Sequence, residues 1–145
     1  MRRSSLATAA VALAIVSTAA VAMSPFHLEW EGKIAGKDGS KITGEATMKE
    51  GADGKTTEVE VMLMGDESGM VRPWHVHVGS CAKGGGVFGG GKSYTPITTS
   101  GGHGMSKATL PVALPDTGSY YVNIHESAGN MGTIVACGDL SMHDD

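Results

Sequence analysis

The stretch Trp74–Cys81, WHVHVGSC, decides the fold prediction for this chain. It is rich in aromatic and β-branched residues and ends in a Gly-Ser turn signal, so it predicts a β-strand. Side chains alternate between the two faces of a strand. His75 and His77 therefore share the outer face, close enough to hold one metal ion, and imidazole suits copper and zinc. The alternative for so short a pattern is a pair of surface histidines without a role. The apolar side chains are expected to face the core: Trp74, Val76 and Val78.

A second stretch, Tyr120–His125 (YYVNIH), follows the same alternation. By parity Tyr120, Val122 and Ile124 face the core. Tyr121, Asn123 and His125 then face outward. If this strand neighbours the first, three imidazoles converge on one site outside the barrel, open to a small substrate.

The rest of the chain predicts an all-β protein. Thr57–Met64 alternates apolar and polar residues, with Met62 and Met64 on the polar face, and turn signals punctuate the chain throughout. Residues 79–104 contain ten glycines and predict a long loop, with strand character resuming from Lys107. No long stretch has helical periodicity. About eight short strands indicate a Greek-key β-sandwich or barrel.

The first 22 residues have the pattern of a secretory signal peptide. A basic start and an apolar run lead to an Ala-Val-Ala cleavage site, with Ala22/Met23 as the expected cleavage point. Residues 23–145 then form one domain, exported to a periplasm or secreted. That domain has 9 basic and 15 acidic residues, a formal net charge of −6. Such an acidic protein is a poor candidate for nucleic acid or an anionic membrane surface.

Two cysteines, Cys81 and Cys137, lie in the predicted domain. In an oxidising compartment two cysteines most simply form one disulfide, which stabilises a small domain by roughly 2–4 kcal/mol. The alternative is a pair of thiolate metal ligands.

Three blocks together resemble the copper/zinc superoxide dismutase family: His75–Cys81 (HVHVGSC), Val122–His125 (VNIH) and Ala136–Gly138 (ACG). In that family a His-x-His pair and a later strand histidine bind copper, and two cysteines placed like these form a disulfide. The resemblance implies a superoxide-dismutase-like barrel and one copper ion held by His75, His77 and His125. It also implies the Cys81–Cys137 bridge.

One further residue is similar to the family pattern, and two features depart from it. His103, in a Gly-Gly-His, is similar in order to the family's bridging histidine and is a candidate fourth copper ligand. The zinc loop that follows is missing, so zinc is not expected. The family's active-site arginine corresponds to Ile134, and Arg72, the only arginine after residue 22, cannot be placed by matching.

The resemblance implies disproportionation of superoxide to oxygen and hydrogen peroxide, with the four histidines as site residues and Glu126 or Asn123 orienting an imidazole ring. The alternative is a non-catalytic periplasmic copper carrier or buffer, which would exchange copper with a donor or acceptor protein. Thioethers favour Cu(I), which supports the carrier. The alternative is that these methionines fill the hydrophobic core. The methionines in question are Met62, Met64, Met70, Met105 and Met131. A third hypothesis is that the protein is a metal-free interaction domain with the same barrel.

Overall fold

A computed structural model describes residues 27–144 of the chain, and the all-β prediction is confirmed. The regular structure of this part consists of nine strands and one short 3₁₀ turn at Gly91–Ser93. The strands are β1 (Leu28–Gly36), β2 (Thr43–Glu50), β3 (Thr57–Met64), β4 (Val71–Arg72), β5 (Trp74–Val78), β6 (Ile97–Thr98), β7 (His103–Leu110), β8 (Tyr120–Ser127) and β9 (Asn130–Asp144).

Seven strands form one antiparallel sheet in the order β5-β8-β9-β1-β2-β3-β7, curled into a half-barrel. β4 and β6 pair separately as a short ribbon. Alternate residues along the long strands point into the curl, as β3 shows: Thr57, Val59, Val61 and Leu63 are buried and the residues between them are not. This is the period-2 pattern that the sequence predicts.

The fully buried core includes residues from both predicted histidine-bearing strands. Trp74 and Val76 of β5 and Val122 and Ile124 of β8 have no exposed surface. The expectation for Val78 is wrong, because this side chain is 48% exposed. β5 ends at Val78, and Gly79 has a positive φ of 117° that turns the chain away from the barrel.

β5 and β8 are neighbours, as the convergence of the imidazoles requires. Their antiparallel register places His75 opposite Asn123 and His77 opposite Tyr121. One step further, the His125 N–H donates to the carbonyl of Pro73 at 2.9 Å. Residues of the same parity on the two strands therefore share a face, and His125 joins the two β5 histidines there.

That outer face is not solvated, and the prediction of an open face is corrected here. Tyr121, His77 and His125 are only 2%, 9% and 5% exposed. The glycine-rich segment folds back along β5, where the Val78 N–H donates to the Gly86 carbonyl at 2.9 Å. A Cβ on Gly85 would lie 1.6 Å from the Val78 carbonyl oxygen, so only glycine permits this approach.

β7 begins at His103, four residues before the predicted start. Gly101 and Gly102 both have positive φ and form a tight turn closed by the Ser100–His103 backbone hydrogen bonds. Because this turn finishes at His103, the strand can pair with β3 from there, with His103 opposite Met64.

The predicted disulfide is confirmed: Cys81 and Cys137 are bonded, with their Cα atoms 6.1 Å apart. It joins the segment after β5 to the middle of β9 and indicates an oxidising, non-cytoplasmic environment. The predicted signal peptide and its cleavage point lie outside the described residues. Within residues 27–144, no helix has the length and apolar character needed to cross a membrane.

Candidate metal centre

Three imidazoles meet on the covered outer face of β5 and β8. One ring nitrogen from each of His75, His77 and His125 lies within 4.8 Å of the others. Metal–imidazole bonds of about 2 Å place two ligand nitrogens at most about 4 Å apart, so small side-chain movements suffice to bring all three onto one ion. The convergence that strand parity predicts is confirmed by this geometry, and the group could hold a metal ion.

Backbone carbonyls orient two of the rings. His77 Nδ1 lies 3.0 Å from the Gly85 carbonyl oxygen, and His125 Nδ1 lies 2.7 Å from that of Met131. A carbonyl only accepts hydrogen bonds, so both Nδ1 atoms carry the proton, which leaves Nε2 as the lone-pair nitrogen of each neutral ring. These carbonyls orient the imidazole rings, the role expected of Glu126 or Asn123. No sequence signal marks them, because any residue type carries a carbonyl.

His75 approaches the group with its other nitrogen. Its Nδ1 lies 3.1 Å from His125 Nε2, and since that atom is an acceptor, His75 Nδ1–H donates to it in the metal-free protein. Metal binding at His75 Nδ1 would therefore need a shift of the proton to Nε2 of the same ring. That outer nitrogen faces Gly91, where a Cβ would stand 3.8 Å away, so the loop leaves room beside it.

His77 Nε2 is the strongest sign that the group takes a ligand. It is the one buried side-chain nitrogen or oxygen within residues 27–144 that has no hydrogen-bond partner. Leaving such an atom buried and unpaired costs about 1–3 kcal/mol. A metal ion bound by the free lone pair would remove this cost, so the residues present fit a metal.

Two tyrosines hold the rings from the sides. Tyr121 stacks on His77 with ring centroids 5.0 Å apart, and Tyr94 meets His75 edge-on at 5.1 Å. The Tyr94 hydroxyl in turn donates to the Phe88 carbonyl at 2.7 Å. Tyr94 lies in the glycine-rich segment, and its part in the site could not be inferred without knowing how that segment folds.

The electrostatics of the site disfavour the protonated forms of His75 and His125. Burial lowers the pKa of His75 to about 4, and the neighbouring His125 and His77 lower it further in the same direction. Burial also lowers the pKa of His125, against the opposing effect of its hydrogen bond to the Met131 carbonyl. Neutral imidazole is the form that binds metal, so at neutral pH these ligands need not lose a proton to the solvent.

The same shifts predict that acid destabilises the metal-free protein. Below a pH of about 6.5, His75 and His125 bind protons in the unfolded chain, whereas in the folded protein their lowered pKa values keep them from doing so. The free energy of unfolding should therefore fall between pH 7 and pH 4.5, as measured by urea denaturation. His75→Gln should flatten this dependence, whereas replacing the exposed His143 in the same way should leave it unchanged. Equal slopes in all three proteins would contradict the assignment.

The structure does not bring His103 to this group. His103 is exposed at the start of β7, opposite Met64, and no fourth His, Cys, Asp or Glu joins the three imidazoles among the described residues. His27 and His143 are exposed and also stand apart. The candidate fourth ligand of the sequence analysis therefore has no support in this geometry.

Neither Arg72 nor Ile134 serves as an arginine that faces a substrate. The Arg72 side chain donates from Nε and Nη2 to the two carboxylate oxygens of Asp66, each at 2.8 Å, and from Nη1 to the Glu126 carbonyl. Each of its three nitrogens thus donates a hydrogen bond that holds the chain next to His125. Ile134 lies opposite His125 in the β8–β9 pairing and carries no charge.

No protein-family model matches the sequence, and no curated protein matches it. The arrangement itself supports one statement about chemistry. Three imidazoles, two of them oriented by carbonyls, form a largely buried group that could hold one metal ion.

Proposed function

We propose that the protein is an exported, copper-dependent superoxide dismutase of the copper/zinc type without a zinc site. The observation that carries the proposal is that one ring nitrogen from each of His75, His77 and His125 lies within 4.8 Å of the others, with His77 Nε2 buried and unpartnered. Nitrogen ligands bind Cu²⁺ more tightly than the other divalent first-row metals. A periplasmic or secreted location agrees with the disulfide and with the signal peptide predicted for residues 1–22.

The resemblance to the family supports the proposal through placement as well as sequence. The His-x-His pair lies on β5, the third histidine on the adjacent β8, and the disulfide ties the segment after β5 to β9. These three relationships are those that the family pattern implies for His75, His77, His125, Cys81 and Cys137.

Bound copper would supply the redox chemistry by cycling between Cu(II) and Cu(I), oxidising one superoxide to oxygen and reducing the next to hydrogen peroxide. The protein would keep the three rings in place, with His77 and His125 held by carbonyls and His75 packed against Tyr94. Two protons are consumed in each cycle. Because His103 lies outside the group, we assign their delivery to solvent, which reaches the half-buried His75.

A copper carrier is the second candidate, and one observation favours it. Arg72, the only arginine among residues 27–144, is bound to Asp66 and Glu126 and cannot attract superoxide to the site. On the side of the enzyme, the exposed Lys92 follows Gly91 in the loop beside His75 and is a cation that could attract superoxide. The net negative charge opposes an anionic substrate.

The test is superoxide dismutation by the Cu(II)-loaded, zinc-free protein. We expect turnover that is lost in His125→Ala and retained in His143→Ala, an exposed histidine outside the group. His125→Ala should also lower Cu(II) affinity at least about 100-fold, since it removes a ligand rather than a neighbour of one.

The other results decide between the candidates. One equivalent of Cu(II) bound at the three histidines without turnover would overturn the enzyme and leave the carrier. A protein that binds no Cu(II), or binds it equally after His125→Ala, would contradict both functions.

A further inference from the structure

The outer face of the β3–β7 pair carries a second group of metal-binding side chains. The register of the two strands places Met64 directly opposite His103 and Met62 directly opposite Met105. Residues two apart on a strand share a face, so all four side chains project from the same side of the sheet. We call this set the Met–His patch: Met62, Met64, His103 and Met105.

These methionines do not fill the core. Met62, Met64 and Met105 are 43%, 45% and 53% exposed, whereas Met48 is fully buried. The residues between them on β3, such as Leu63, make the core contacts instead. The core-filling interpretation of methionine therefore holds for Met48 and fails for the patch.

The rest of the same face is ordinary polar surface. On the next positions of the two strands Glu60 pairs with Lys107 at 2.7 Å, and Glu58 lies opposite Thr109. On the other side, β2 presents Thr43 and Glu45. Thioethers and one imidazole thus replace charged and hydroxyl side chains over two successive residue pairs only.

The spacing allows the four side chains to meet. Directly opposite residues have Cβ atoms about 4.5–5.5 Å apart, and diagonal neighbours about 7–8 Å. Methionine has three rotatable bonds beyond Cα, so three sulfurs and one imidazole nitrogen can turn toward a common point above the sheet. β7 is the last strand of the seven-stranded sheet, which leaves the patch open on one side.

We propose that the Met–His patch is a binding site for one Cu(I) ion, ligated by Met62, Met64, Met105 and His103. Soft thioether ligands select Cu(I) over hard divalent ions. The site is separate from the three-histidine group and does not depend on the function proposed for it. It also gives the exposed His103 a role, with methionines rather than histidines as its partners.

The first experiment uses Ag(I), a soft and redox-inert probe, with the protein labelled at the methionine methyl carbons. We expect Ag(I) to shift the methyl resonances of Met62, Met64 and Met105, saturating at one equivalent, while Met48 stays unmoved. Patch methyl resonances that do not change with Ag(I) would overturn the site.

The second experiment counts Cu(I) by anaerobic competition with a chromogenic chelator, with ascorbate as reductant. The variant Met62→Leu/Met64→Leu/Met105→Leu should lose one equivalent of Cu(I). The matched control Met142→Leu removes a methionine outside both metal-binding groups, 38% exposed, and should lose none. Leucine at exposed positions keeps the fold, which circular dichroism checks. Equal Cu(I) counts for the patch variant and the control would overturn the proposal.

Discussion

Replacing Arg72 with methionine should lower the free energy of unfolding by about 3–5 kcal/mol. The side chains of Arg72 and Asp66 are only 8% and 3% exposed, and they share two hydrogen bonds. Removing the guanidinium leaves the Asp66 carboxylate buried without its partner, and the Glu126 carbonyl loses its donor. Denaturant unfolding at pH 7 measures the loss.

The matched control is Lys33→Met, which breaks an exposed ion pair. Lys33 and Glu45 are 85% and 51% exposed, so this change should cost no more than about 1 kcal/mol. The double variant Asp66→Leu/Arg72→Met should recover part of the loss, because it leaves no unpaired charge. Similar losses from Arg72→Met and Lys33→Met would contradict a stabilising role for the buried pair.

The pair also has a predicted pH signature. The hydrogen bonds from Arg72 lower the pKa of Asp66 below its usual 3.8. A carboxyl group with a lowered pKa stabilises the fold above its unfolded pKa, and this contribution is lost as the pH falls through the folded value. The difference between wild type and Arg72→Met should therefore narrow below about pH 4.

Removing the disulfide should cost about 4 kcal/mol of unfolding free energy. The bridge closes a loop between residues 56 apart in sequence, and the entropy of the unfolded chain rises when that loop opens. The double variant Cys81→Ser/Cys137→Ser, studied by thermal and denaturant unfolding, tests this. Reduction of the wild-type protein should give the same loss, which separates the bond from effects of serine. A cost below about 1 kcal/mol in both would refute the prediction.

The same variant should weaken metal binding, although neither cysteine belongs to the three-histidine group. Cys81 fixes the start of the glycine-rich segment to β9, and Gly85, four residues later, supplies the carbonyl that orients His77. A loosened segment no longer holds that ring in one tautomer and direction. We expect a loss of metal affinity of about 10–100-fold, as for other groups that orient a ligand.

The alternation of apolar and polar residues was sufficient to predict much of this protein. The pattern along β3 specifies its buried and exposed faces, and the parity of His75, His77 and His125 specifies that all three avoid the core. With only two cysteines in the predicted domain, the pairing of Cys81 with Cys137 followed as well. Each of these is a local property, because a strand's side-chain period is the same wherever the strand lies.

The tertiary structure alone decided three features: the cover over the histidines, the placement of the Gly85 and Met131 carbonyls, and the neighbours of His103. They depend on how a glycine-rich segment folds back and on which residues of β3 and β7 face each other. Glycines specify few local preferences, and carbonyls are the same in every residue. The sequence by itself therefore determined which side chains could bind a metal, and strand pairing and loop packing decided which of them meet.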